Sequence, residues 1–215
     1  MKNSKLLFLS FLISLFFVFP VFASPDTGAA EMFFSTLDAF EEEGLIPDDG
    51  ETIYFGSYSD DLAMLGYYEW LPFFSSDKFV FSAVLSWDTP AERPTSNMSG
   101  CGVVFNTKNK QNEVSLSFRM DGMAHLTAYK NGDALTFPIY KYGGSSTKGS
   151  IDLTLFVDKG KVICYVDGEK LFERYEMPTF GNTVGLLTMS GSNLDYGVKC
   201  DFDDIFVYSW GNDGE

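Results

Sequence analysis

The chain has one histidine, His125, and this limits the nucleophilic chemistry it can do. A Ser–His or Cys–His pair would have to use it as base, and no serine stands in a glycine-flanked elbow. Glycoside cleavage needs two carboxyls on one face, about 5–5.5 Å apart for retention and wider for inversion. The nearest same-face pair is Asp201 with Asp203, alternate residues of one strand-like run with no glutamate beside them. No Cys-x-x-Cys spacing accompanies the lone histidine, so no transition-metal site is predicted. Asp48-Asp49, Asp60-Asp61 and Asp201/Asp203/Asp204 are the oxygen clusters that could hold a calcium ion. None matches an EF-hand loop, and paired acids at turns more commonly cap and solvate them. The catalytic assignment from residues alone is therefore none.

Binding chemistry is better represented. Arg119, His125, Thr127 and Tyr129 fall on one face of two adjacent strand-like runs. Tyr140, Tyr142, Tyr67 and Trp70 are placed to rim that face. Sugars stack their apolar sides on aromatic rings and present hydroxyls to planar polar groups. Arg119, His125, Tyr129, Tyr140 and Trp70 are the candidate ligand-binding residues on this basis. The competing reading is an ordinary solvated face, or one covered by another layer.

The elements that must position these residues are strands. Ile151, Leu153, Leu155 and Val157 alternate with Asp152, Thr154, Phe156 and Asp158, the period of a half-buried strand. Asp158-Lys159-Gly160 turns the chain, Val162, Cys164 and Val166 alternate back, and Asp167-Gly168 turns it again. Phe79, Phe81, Ala83, Leu85 and Trp87 share one face of Lys78–Trp87, opposite small residues, as in a central strand. Further strands are predicted at Thr52–Tyr58, ended by Asp60-Asp61, at Gly102–Asn106, and over Val114, Leu116, Phe118 and Met120. Leu126 and Ala128 point inward from the next strand, and Asn131-Gly132 closes its hairpin. Phe137–Tyr142, with Pro138, is edge-like. Val184–Met189 is a buried strand, and Val198–Tyr208 shifts phase at Asp203-Asp204 as a β-bulge would. The rings of Leu62–Phe74 either line a sugar platform or close one end of the core. A short helix is predicted over Asp26–Glu43, with Thr27 as cap, Phe33, Leu37 and Phe40 on one face and Gly44 as stop. Glu41, Glu42 and Glu43 sit badly with its dipole.

Met1–Ala23 has a basic start, an apolar run from Leu6 to Phe19 and a small-residue cleavage site, the pattern of a secretory signal. The expected organisation is residues 1–23 as signal peptide, 24–50 as an N-terminal segment with a short helix, and 51–212 as one β-sandwich domain. Loss of Lys2 and Lys5 would take the net charge from −15 to −17. That acidity disfavours nucleic acid and anionic lipid as partners and fits a secreted or periplasmic protein, with no membrane insertion after cleavage. Cys101, Cys164 and Cys200 allow one disulfide and a spare thiol, or three buried thiols. Asn97-Met98-Ser99 matches a glycosylation acceptor, a pattern frequent by chance.

Phe79–Trp87, Gly102-Val103-Val104-Phe105, the Asp121-Gly122 hairpin, Leu153–Val157 with Val162–Gly168, Val184-Gly185-Leu186 and Phe202–Val207 follow in that order. The succession resembles the concanavalin A-like lectin/glucanase superfamily, nearest to laminin-G-like and 3-keto-disaccharide-hydrolase-type jelly rolls. The resemblance implies an all-β, two-sheet antiparallel jelly-roll sandwich with a short N-terminal helix, and glycan binding or glycosidase chemistry on one sheet. Catalytic members carry E-x-D-x-x-E on one strand, which is absent here. The reading is an exported, non-catalytic carbohydrate-binding or surface-interaction module. The alternatives are a glycoside-active hydrolase without the usual motif and a purely structural envelope protein.

Overall fold

A computed structural model describes residues 26–91 and 99–211. The expected signal peptide and the Asn97 and Met98 positions lie outside the described residues. The helix α1 (Thr27–Glu42) precedes β1 (Glu51–Leu62), β2 (Tyr67–Ser75), β3 (Lys78–Asp88), β4 (Gly100–Asn109), β5 (Asn112–Arg119) and β6 (Met123–Lys130). Then follow β7 (Asp133–Lys141), β8 (Lys148–Asp158), β9 (Lys161–Val166), β10 (Glu169–Arg174), β11 (Thr183–Ser190) and β12 (Val198–Ser209). Two six-stranded sheets result, ordered β1-β12-β3-β8-β9-β10 and β2-β11-β4-β5-β6-β7. All of their strand pairings are antiparallel.

The alternating pattern decides the stacking. Phe79, Phe81, Leu85, Leu153, Leu155, Cys164 and Phe202 of the first sheet face Val103, Phe105, Leu116, Phe118 and Leu186 of the second, all fully or nearly fully buried. β3 lies between β12 and β8, the central position its composition predicts. Cys101 of β4 and Cys200 of β12 form a disulfide that ties the two sheets together, and Cys164 is a buried free thiol.

The phase shift in β12 is a bulge. Its pairing with β3 slips between Asp203 and Phe206, and Asp204 has φ 50°. The bulge turns the Asp204 carboxylate toward the start of α1, where Oδ1 accepts from the Asp26 amide (3.1 Å) and the Tyr54 hydroxyl (3.2 Å). Asp26, rather than Thr27, is the helix cap, because its carboxylate accepts from the Gly28 amide at 2.7 Å. Gly44 follows the last turn at φ 68°, and the Leu45 amide returns to the Phe40 carbonyl at 2.8 Å.

The three glutamates at the C-terminal end of α1 each oppose the helix dipole by about 0.3–1 kcal/mol. Burying an apolar side chain such as Phe33, Leu37 or Phe40 contributes about 1.5–3 kcal/mol each, so packing wins. Phe33 stacks on Phe206 at 5.0 Å between centroids, and Phe40 meets Phe156 edge-on at 5.9 Å. With Val80, Ile163, Tyr208 and Trp210 they make a second apolar layer on the outer face of the first sheet.

β1 is longer than predicted. It continues through Asp60 and Asp61, which pair with Cys200 and Lys199, because an edge strand with one exposed side accepts acids there. β7 is likewise an edge strand, extending from Asp133 to Lys141.

The disulfide links residues 99 apart in sequence. A Cys101→Ala/Cys200→Ala double variant should lose about 2–4 kcal/mol in denaturant unfolding. Burial pushes the Cys164 thiol pKa far up, so a thiol reagent should label the native protein not at all and the denatured protein once.

Candidate functional site

Helix α1 covers the outer face of the first sheet, so the open sheet surface belongs to the second. Along β5, Glu113, Ser115, Ser117 and Arg119 alternate with the buried Val114, Leu116 and Phe118 and so project outward together. β6 sets Tyr129, Thr127 and His125 directly opposite Glu113, Ser115 and Ser117. On the other side, β11 contributes Leu187 and Met189, and β2 contributes Tyr68 and Trp70.

Between these walls β4 is bare at Gly100 and Gly102, with the buried Val104 next in phase. Gly100 and Gly102 pair with Arg119 and Ser117. A Cβ on Gly102 would lie 2.1 Å from the Leu116 carbonyl oxygen, so no larger residue fits. Gly185 has a similar role on β11, where a Cβ would stand 2.8 Å from Trp70 Cε3 and 2.9 Å from Val104 Cγ2. The Trp70 indole therefore lies across β11 and β4, and its Nε1 donates to Glu113 Oε2 at 3.2 Å. The result is a narrow trough with a void of about 40 Å³. Tyr68, Leu187 and Met189 line one side, Tyr129, Thr127 and Arg119 the other, with Ser115, Ser117 and Glu113 between.

Glu113 is the carboxylate of this trough and is only 1% exposed. Burial raises its pKa above the usual glutamate value, opposed by hydrogen bonding from Tyr68 and Trp70 and by the charge of Lys110. Its Oε1 has no hydrogen-bond partner of good geometry among the described residues. The Lys110 ammonium sits 5.3 Å and 5.5 Å from the Tyr67 and Tyr68 ring centroids. Burial lowers the Arg119 pKa, countered by Asp121 and Tyr129, and a guanidinium stays charged even so. Burial, then the Arg119 charge, push the His125 pKa below its ordinary value, so the imidazole is neutral at neutral pH.

Four of the five residues singled out from sequence meet on this face or in its wall: Arg119, His125, Tyr129 and Trp70. Tyr140 does not. Its backbone pairs with Ala124, an inward position, and its ring stacks on Phe172 at 4.5 Å between the sheets. The pairing of β7 with β6 slips between His125 and Thr127, and this puts Tyr140 on the core side. Tyr142 also turns inward, edge-on to Phe118 at 5.3 Å, and its hydroxyl donates to the Arg119 carbonyl at 2.6 Å.

Glu113, Leu187 and Met189 are not among the residues singled out from sequence, and Tyr68 stands there only as one of the Leu62–Phe74 rings that either line a sugar platform or close one end of the core. Glu113 carried a signal, since the period of two that exposes Arg119 also exposes Ser117, Ser115 and Glu113. That Tyr68 and Met189 reach this trough carried no local signal, because nothing local says that β2 borders β11 and β11 borders β4.

Among the described residues no group of three acid, histidine or cysteine side chains converges as a metal site. Asp201 lies on β12 in the opposite sheet, where it pairs with Lys199 at 3.0 Å and bonds Ser59. Asp204 is engaged by the Asp26 amide and Tyr54.

A carboxyl whose pKa is raised in the folded state holds its proton more tightly there than in the unfolded chain. Stability from this group is thus greatest at low pH and falls as pH rises from the unfolded value of 4.5 through the folded pKa. Glu113→Gln should flatten that fall and be at least as stable as the parent above the folded pKa, read from denaturant midpoints across pH.

No protein-family model matches the chain, and no curated protein matches it in sequence. Solved structures match its architecture. The carbohydrate-binding module CBM66 from Bacillus subtilis superposes with a TM-score of 0.54 at 11% identity, over 74% of this chain and 95% of that one. The fructosyltransferase from A. japonicus gives a TM-score of 0.52 at 16% identity, over 80% of this chain. This chain spans only 28% of that enzyme's length. The chain is similar to these proteins in fold, and its fold is the concanavalin A-like jelly roll.

Proposed function

We propose that this chain is an exported, non-catalytic carbohydrate-binding module that seats a saccharide along the trough of the β2-β11-β4-β5-β6-β7 sheet. The observation that carries this reading is the composition of the trough. Two phenol rings, Tyr68 and Tyr129, flank a strip of hydroxyls from Ser115, Ser117 and Thr127, with the Arg119 guanidinium among them. Rings offer stacking planes to the C–H faces of a sugar, while hydroxyls and a guanidinium offer hydrogen bonds to its oxygens. A void of about 40 Å³ is far below the roughly 300–1,000 Å³ of pockets that engulf a ligand, so the saccharide lies along the sheet. A carbohydrate-binding module of matching fold, 95% of whose length this chain spans, is consistent with a whole domain given to this role.

Two further features support the rest of the reading. Cleavage of a glycoside requires two carboxyls about 5–9.5 Å apart, and among the described residues Glu113 alone lines the trough. The disulfide between Cys101 and Cys200 belongs in an oxidising compartment, which agrees with the leader-like first residues. A glycoside-active enzyme is the second reading. It draws on Glu113, a buried carboxyl with a raised pKa, the state suited to a general acid.

An immobilised oligosaccharide panel tests both. The parent protein should retain at least one saccharide and release no shortened products from it. Arg119→Ala and Tyr129→Ala should each weaken retention by roughly tenfold, the worth of one charged hydrogen bond or one stacking contact. Product release would favour the enzyme. An empty panel would favour a structural role in the envelope.

A further inference from the structure

The chemistry at the Glu113 end of the trough is narrower than a general sugar platform requires. Trp70 Nε1 holds Oε2 at 3.2 Å, which fixes the orientation of the carboxylate. Oε1 remains, buried and without a hydrogen-bond partner of good geometry, on a residue that lines a void of about 40 Å³. A buried carboxylate oxygen left unpaired costs free energy that any donor reaching it would recover. An ionised carboxylate only accepts, so the ligand must bring the donor. The void admits a group the size of one or two waters, and therefore a substituent of a sugar but not its ring. Leu187 and Met189 line the same void and offer apolar contact to a methylene.

We propose that Glu113 sets specificity in the trough, with Oε1 accepting a hydrogen bond from the primary hydroxyl of a sugar's hydroxymethyl group. The ligands so selected are saccharides of hexose units bearing a free hydroxymethyl. Pentose chains such as xylo-oligosaccharides lack the group and leave Oε1 unpaired. Uronate chains place a carboxylate against Glu113, where two like charges repel. Trp70 is a positioning residue here, since its Nε1 holds Oε2 and so fixes where Oε1 lies. This proposal rests on the saccharide-binding reading above and narrows it to a ligand class.

The test measures retention of the intact protein on matched hexose, xylo- and uronate oligosaccharides, for the parent and for Glu113→Gln. The parent should retain members of the hexose series and bind their xylo- and uronate counterparts at least about tenfold more weakly. Glu113→Gln keeps the shape but can turn an amide donor toward the void. It should lose roughly tenfold on the hexose ligands and gain on uronates relative to them. Hexose retention within twofold of the parent in Glu113→Gln would overturn this proposal and leave the binding reading standing. So would equal retention of the xylo- series by the parent. A parent that retains nothing would overturn both. Should Glu113→Gln fail to fold, carbon-13 NMR of the parent labelled in glutamate decides the matter. The Glu113 carboxyl resonance should move on saturation with the retained hexose ligand, and a static resonance would overturn the assignment.

Discussion

Apolar burial on both faces of one sheet and mainly on one face of the other is the constraint from which the rest of the molecule follows. β3, β8 and β12 send Phe79, Phe81, Leu155 and Phe202 into the space between the sheets. The same strands send Val80, Phe156 and Phe206 outward, where solvent would meet them without α1. The helix answers with Phe33, Leu37 and Phe40 and so is bound to that sheet. Nothing of the kind projects from the outer face of β5 and β6, which carry serines, Thr127, His125 and Arg119. The sheet left open is therefore the one whose outward residues can recognise a polar ligand.

The trough on that sheet comes from what is missing as much as from what is present. Glycines on β4 and β11 remove the side chains that would otherwise fill its middle. Rings from β2 then lie inward across the gap until Trp70 meets Glu113 of β5. A bond of this kind links an edge strand to one three places away in the sheet, independently of the backbone ladder. It gives the aromatic wall a defined orientation, which a stacking surface needs.

Electrostatics at the trough differ from those of the chain as a whole. The net charge is −15, and acids dominate the turns. Within the trough the one carboxylate is buried, while Arg119 and Lys110 supply positive charge nearby. Long-range repulsion therefore acts on polyanions approaching the molecule, while the trough itself presents hydroxyls, phenol rings and a guanidinium.

Sequence alone determined most of the strands and their turns, though not β2 or β10, together with the bulge at Asp203-Asp204, the helix with its apolar face and, through the order of the elements, the jelly-roll class. It did so because side-chain alternation and turn chemistry are local and survive in any tertiary setting. Arg119, His125 and Tyr129 were legible for the same reason, since they sit on two strands joined by a tight turn. Tertiary structure alone decided that Cys101 pairs with Cys200, that α1 covers one sheet and spares the other, and that Tyr140 faces the core. It also decided that Tyr68 and Trp70 come to Glu113. Each of these depends on which strand lies beside which, or on a one-residue slip in register, and period-two alternation carries no information about either.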